Sequence, residues 1–315
     1  MGMPDTLGRR GTSMARTATM GRMARREERA FYLFISPWIV GFILFSAGPA
    51  IGSCVISFTQ WSLLSAPSWT GTSNYQRLVG DPLFWQALTN TLYFAAGSVG
   101  LGTAVALLLA LLLNQDVKGQ ALVRTIFYLP AVVSGVAVAI LWRYLYNPDY
   151  GLANSILHLI GIKGPDWLGD PSWAMPAMIV MSLWAVGGSM VIYLAGLQGI
   201  PAHLYEAAAI DGAGALRRFW HVTVPMMSPV IFFNLIVGVI GSFQAFVQMY
   251  VMTNGGPANA TLVYLLYLYR NAFEDFDMGY ASALAWVLFL ILLAITLGQM
   301  ALARRWVYYE GQLRG

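Results

Sequence analysis

The chain has 315 residues, 58% of them apolar and 10% charged, with a formal net charge of +4. A soluble domain carries roughly a quarter of its residues as charges, so this composition excludes a protein bathed in water on all sides. The single cysteine, Cys54, excludes an intrachain disulfide and a thiol-built metal cluster.

In chain order, residues 1–30 form a basic tail carrying Arg9, Arg10, Arg16, Arg22, Arg25, Arg26 and Arg29. Such a tail suits solvent beside an anionic leaflet, and nothing in it asks for a nucleic acid. Its charged stretch and the apolar run behind it are both too long for a cleavable signal, while Met14, Met20 and Met23 are alternative starts. Charge-free runs long enough for a hydrocarbon core of about 30 Å then follow. They are Phe31 to Phe58, a stretch within Leu83 to Leu113, Thr125 to Trp142, a stretch within Pro171 to Ala202, one from about Val222 to before Asn254, and Met278 to Ala303. Residues 31–86 thus hold the first helix and an outer loop, 87–305 the main membrane bundle, and 306–315 a short terminus. Pro37, Pro49, Pro130 and Pro176 inside the runs predict bent helices supported by neighbours.

This layout predicts an all-α polytopic membrane protein of six transmembrane helices with both termini in the cytoplasm. The tail, the 114–124 loop, the 203–221 loop and the carboxyl end then hold fourteen of the eighteen Lys and Arg residues, leaving only Arg77, Arg143, Lys163 and Arg270 elsewhere. That asymmetry is the positive-inside pattern, and an added or missing span would scramble it.

Catalytic chemistry finds no residues to carry it. Both lysines, Lys118 and Lys163, are followed by glycine, so no phosphate-cradling Gly-x-x-x-x-Gly-Lys-Ser/Thr loop exists. His158, His203 and His221 lack metal-ligand spacing and read as loop and interface residues. No span carries a central Asp, Glu, Lys or Arg, which weighs against an ion-driven transporter. The fifth run does carry Asn234, Gln244 and Gln248, which a continuous helix at about 100° per residue gathers within roughly 80° of arc. Amides at that depth either fasten helices together or face a wet pathway, where sugar hydroxyls are suitable partners and Trp184 offers a ring for stacking. Tyr264, Tyr267 and Tyr269 read as an interfacial outer segment.

The 201–225 loop is the most informative stretch: Pro201-Ala-His-Leu-Tyr-Glu-Ala-Ala-Ala-Ile-Asp-Gly-Ala-Gly-Ala-Leu-Arg-Arg-Phe-Trp-His-Val-Thr-Val-Pro225. Pro201 suits a first helical turn, the alanines its interior, and Gly212 with Gly214 its end, so a short helix, a glycine turn and a second short helix are expected. Leu204, Ala207, Ala208 and Asp211 would share one face. Here the sequence resembles the permeases of binding-protein-dependent ABC importers, in particular the maltose and glycerol-phosphate type. Glu206, Ala207, Ala208, Gly212 and Pro225 fall on the shared Glu-Ala-Ala signature, with Val222 and Val224 replacing its Ile and Leu. Arg124-Thr-Ile-Phe-Tyr-Leu-Pro130, Asn147-Pro-Asp-Tyr-Gly151, Gly255-Gly-Pro-Ala-Asn259 and Phe276-Asp-Met-Gly-Tyr-Ala-Ser282 extend the likeness from about residue 31 to 305.

The resemblance implies a type I importer permease forming half of a translocation pathway for a sugar or oligosaccharide, with glycerol phosphate or another polyol as the alternative. It implies that Glu206, Ala207 and Ala208 form a helix docked in a cytosolic ATPase, with Asp211 following and Gly212 turning. It also implies the partners: a second, homologous permease, two ATPase subunits that hold the ATP and Mg, and an extracytoplasmic solute-binding protein. This chain would bind no cofactor and catalyse nothing itself.

Overall fold

The computed structural model describes residues 22–115 and 118–308. Most of the basic tail and residues 309–315 lie outside them. A first unit, ending at Ser53, comprises α1 (Arg22–Phe42), a π turn (Ile43–Ala47) and the start of α2 (Gly48–Ile56). Its apolar side chains are exposed all round, among them Phe34, Trp38 and Phe45. A helix apolar on every face needs a non-aqueous surround.

The second unit begins at Cys54. Two short antiparallel strands, β1 (Thr59–Gln60) and β2 (Ser68–Trp69), and α3 (Ser73–Gly80) precede the long α4 (Pro82–Leu113). Then come α5 (Gln120–Tyr128), α6 (Gly135–Leu145), α7 (Leu152–Leu159), α8 (Pro171–Ser182) and α9 (Gly187–Gln198). The chain ends with α10 (Ala202–Ile210), α11 (Ala215–Arg218), α12 (Val224–Phe243), α13 (Val247–Met252), α14 (Tyr264–Tyr269) and α15 (Met278–Ala303).

Among the described residues, four helices are long and apolar enough to cross a membrane: Arg26–Ile56, Pro82–Leu113, Ala215–Met252 and Met278–Ala303. The other two expected spans are broken. Gln120–Val132 and Gly135–Leu145 meet at 100°, and Pro171–Ala185 and Gly187–Gln198 at 49°. The third run is therefore not one continuous helix. Pro130 opens a tight turn over Leu129–Val132, and Val133 and Ser134 are extended before helix resumes at Gly135.

Helix α4 is the central post, packing against α8, α9, α12 and α14. Close approach rests on small residues. A Cβ at Gly187 would lie 2.1 Å from the Phe127 carbonyl oxygen, so α9 sits directly on the backbone of α5. One core gathers Met175, Met178, Phe243, Met249, Tyr264 and Tyr280; a second, between α4, α9 and α12, gathers Ala106, Ala110, Met190, Tyr193 and Met227.

At the end of the bundle where α4 begins, Asp81 is a hub. Its Oδ1 accepts the Leu83 N–H at 2.9 Å as the N-cap of α4, while Oδ2 accepts the Tyr280 hydroxyl at 2.6 Å and the Tyr267 hydroxyl. Burial pushes the Asp81 carboxyl up, but bonds from Tyr267, Tyr280 and the Leu83 and Phe84 N–H groups outweigh it and hold the group below the usual carboxylate range. Arg77 stands 4.1 Å over the Tyr280 ring and pairs with Asp277 at 2.6 Å. Tyr264 and Tyr267 are thus not headgroup-zone tyrosines. They are buried, Tyr264 donating to the Leu284 carbonyl at 2.7 Å, because internal acceptors meet both hydroxyls.

Candidate functional site: a polar cavity and the loop beneath it

Helix α12 connects two features. At its far end it stops at Phe243: Gln244 caps it, Phe246 leaves helical geometry at φ −141°, and α13 resumes at Val247. The Gly241-Ser242 pair precedes the break, a combination that commonly kinks helices, and Ser242 Oγ bonds back to Val239 O at 2.8 Å. The break means that a continuous wheel cannot place Gln244 and Gln248, although both end up at the same opening as Asn234.

That opening is a cavity of about 440 Å³ between α4, the bend joining α8 to α9, and α12. Asn234, Gln244 and Gln248 line it together with Ser98, Thr103, Ser182, Ser189 and Ser242, and no lining residue is charged. Several of these groups already spend a donor on their own helix. Ser98 Oγ donates to Phe94 O and Ser182 Oγ to Ile179 O, each at 2.6 Å, and Asn234 Nδ2 donates to Val230 O at 3.0 Å. Their remaining oxygen lone pairs are free to meet hydroxyl donors.

Trp184 does not line this cavity. It packs edge-on against Trp142 at 6.1 Å, at one end of a ring ladder that continues through Tyr146 and Trp167 to Trp173. The serines and Thr103 were missed in the sequence, because hydroxyls that back-bond within a helix are common at any depth. Only the fold shows which of them share a void.

At its near end α12 runs back without interruption through a π turn (Phe219–Thr223) into α11, so the second short helix expected after Gly214 is the foot of the fifth span itself. Pro225, in the first turn of α12, and Pro229 account for the irregularity. Pro229 has no N–H for the Pro225 carbonyl, and Ser228 Oγ bonds that oxygen instead at 2.6 Å while accepting the Tyr308 N–H at 2.9 Å.

Beneath this foot lies α10. Its end is a full Schellman cap: Ala213 N–H bonds to Ala208 O at 2.9 Å and Gly212 N–H to Ala209 O at 3.0 Å, with Asp211 at the cap and Gly212 at φ +75°. The face expected to unite Leu204, Ala207, Ala208 and Asp211 is divided. Leu204, Tyr205 and Ala208 turn toward the bundle, the Tyr205 hydroxyl lying 3.0 Å from Thr223 Oγ1. Glu206, Ala207, Ile210 and Asp211 face outward, with Ile210 87% exposed. Leu204, His221, Pro225 and Tyr308 line a smaller cavity of about 300 Å³ between α10 and the foot of α12. Among the described residues, no three His, Cys, Asp or Glu side chains converge as a metal set would.

A bundle with broken spans, a polar void at one helix break and a capped, outward-facing helix on the opposite end defines a membrane permease. Residues 102–308 match the family described as binding-protein-dependent transport system inner membrane component, and the chain belongs to that family. It is 42% identical over 296 residues to the probable ABC transporter permease protein YesP of Bacillus subtilis, covering 92% of this chain and 96% of that one. It is 38% identical over 296 residues to the lactose transport system permease protein LacF of Rhizobium radiobacter, covering 91% and 98%. Among solved structures it is similar to a bacterial ABC transporter involved in import of the acidic polysaccharide alginate, with a TM-score of 0.79, 27% identity, and coverage of 90% of this chain and 99% of that one. The protein is therefore an inner-membrane ABC importer permease.

Proposed function

We propose that this permease forms half of the pathway for a sugar or oligosaccharide, closed by a second, homologous permease and fed by an extracytoplasmic solute-binding protein. Its six spans run with both termini in the cytoplasm, each bent pair counting as one span. The observation that carries the reading is the uncharged cavity at the α12 break, where amides and hydroxyl oxygens suit a hydroxyl-rich solute. Asn234, Gln244 and Gln248 contact that solute. The names of lactose and alginate systems among its relatives support a saccharide over glycerol phosphate, and so does the missing cation, since phosphate sites use Arg or Lys.

Energy reaches the cavity from below. Glu206, Ala207 and Ala208 on α10, with Asp211 and Gly212 holding its end, dock onto one of two cytosolic ATPase subunits, which bind ATP and Mg. Pro225 lies where that movement enters α12. The test is to purify the complete complex with its binding protein in lipid bilayers and read ATPase stimulation across a panel of neutral sugars, uronates, glycerol phosphate and amino acids. Stimulation by neutral saccharides is expected. Stimulation by glycerol phosphate or amino acids alone refutes the assignment.

A further inference from the structure

The segment joining α6 to α8 carries a helix that buries an asparagine while exposing most of its large apolar side chains. On α7, the buried position facing the protein is polar. Asn154 donates from Nδ2 to the Pro148 and Pro165 carbonyls, both at 3.2 Å, and its Oδ1 accepts the Trp167 Nε1–H at 2.7 Å. Ala153 and Leu157 flank it half-buried, and the other apolar positions point away. Leu152, Ile156, Leu159 and Ile160 are exposed, Leu159 at 86% and Ile160 at 67%.

This orientation is built in. Asn147 Oδ1 accepts the Asp149 N–H at 2.9 Å and the Tyr150 N–H at 3.2 Å, forming the turn that launches the helix. A Cβ at Gly151 would lie 2.3 Å from Asn147 O, and one at Gly164 would lie 1.9 Å from Asn154 Oδ1. The helix is therefore clamped on both sides, and rolling it to bury its leucines would break the Asn154 bonds.

The exposed half is itself divided. At about 100° per residue, Leu152, Ile156, Leu159 and Ile160 fall on one arc and Ser155 and His158 on the adjoining one. Water on all sides would favour polar residues on both arcs, and a protein partner covering the helix would have no need of the division. A boundary between hydrocarbon and water needs it.

The position agrees. Residues 146–151 are all that separate α7 from the end of α6, and they are curled into the Asn147 turn, so the helix stays at the edge of its span. Around it Tyr144, Tyr150 and Trp173 are exposed, as rings in the headgroup zone are, and Lys163 is exposed with a stem long enough to reach headgroups. Two neighbouring acids are turned into local caps, Asp166 to the Gly169 N–H and Asp170 to the Ser172 N–H.

We propose that α7 lies along the membrane surface at the end of the bundle opposite α10, with Ile156, Leu159 and Ile160 among lipid acyl chains and Ser155 and His158 in water. The helix would set the depth of the bent third and fourth spans, a role independent of which solute is carried.

The test uses the complete importer complex in lipid bilayers, in a Cys54→Ser background that frees the chain of its own thiol. Nitroxide labels at Leu159→Cys, Ile156→Cys and His158→Cys are read by power-saturation EPR with oxygen, which concentrates in lipid, and with a water-soluble nickel chelate. Labels at 156 and 159 should respond to oxygen and be shielded from nickel, and the label at 158 should do the reverse. Nickel access at 156 and 159 would show a solvated helix, and shielding from both agents would show that a protein subunit covers it. Either result overturns the proposal. Two labelled apolar sites guard against a misfolded single variant, and retained uptake confirms assembly.

Discussion

Replacing Asp81 by alanine should loosen the end of the bundle where α4 begins. The carboxylate accepts two tyrosine hydroxyls and caps α4 through the Leu83 N–H. Hydrogen bonds to a charged acceptor are each worth about 1.5–3 kcal/mol, and loss of an aspartate N-cap costs about 1 kcal/mol. Asp81 is only partly buried, so water replaces some of what is lost, and a net cost of about 2–4 kcal/mol is expected. The nearby Arg77–Asp277 pair adds little, since Arg77 is 54% exposed and surface ion pairs contribute about 0–1 kcal/mol. A cost of that size should lower the melting temperature of the purified complex by several degrees at neutral pH. Because the folded carboxyl titrates below its unfolded value of about 3.9, its contribution is fully present above that value and is lost as pH falls through the folded one. The melting gap between wild type and Asp81→Asn should therefore narrow only in acid below about pH 4. Equal melting of wild type and Asp81→Ala at pH 7, or a gap that grows in acid, would refute the hub.

Gly212→Pro should abolish solute-stimulated ATPase activity and uptake while leaving capture by the external binding protein intact, because proline cannot take φ +75° and the Schellman cap is lost. Gly212→Ala, which meets a left-handed penalty of about 1–2 kcal/mol, should show a partial defect in the same assay. Glu206→Lys reverses charge on the outward face of α10 and should uncouple ATPase from transport without changing the melting temperature of the permease. Gln244→Ala with Gln248→Ala should change solute preference or rate in an uptake panel and leave ATPase binding intact; unchanged uptake would return both amides to helix packing. Gly187→Ala should lower the yield of folded permease in detergent, since its Cβ would fall 2.1 Å from the Phe127 carbonyl and the obstacle is backbone.

The membrane bundle was legible because charge-free runs report hydrocarbon directly, and the 201–225 loop was legible because cap chemistry is local: Gly212 follows Ala207–Ala209 and needs no distant partner. What depends on distant partners was not. Tyr267 reads as an interfacial tyrosine until Asp81, 186 residues away, is placed against it. The fifth span shows the same limit at shorter range. Its amides were grouped by assuming unbroken 3.6-residue periodicity, yet the helix stops at Phe243, and Gln244 and Gln248 reach the cavity through a change of backbone direction. Trp184 looked like a stacking surface because aromatic residues in a pathway and in a ring ladder have the same sequence signature.

The break in α12 also bears on how the proposed coupling could work. A helix conveys displacement along its axis only as far as its backbone stays helical, and here it stays so from α11 through the π turn to Phe243, with the ladder N–H missing only at Pro225 and Pro229. Its lower end is held by the Tyr205–Thr223 contact and by Ser228, which joins Pro225 to Tyr308, so hydrogen bonds tie α10 and the segment after α15 to the foot of α12. α12 meets its neighbours closely at glycines: near its foot a Cβ at Gly196 on α9 would lie 3.0 Å from Met227, and higher up one at Gly238 would lie 3.3 Å from Val99. Such seams let close-packed helices slide by small shears with no side chain having to cross another. In the proposed coupling, displacement begun at α10 would reach the backbone break at Gln244–Phe246, which is in the wall of the cavity.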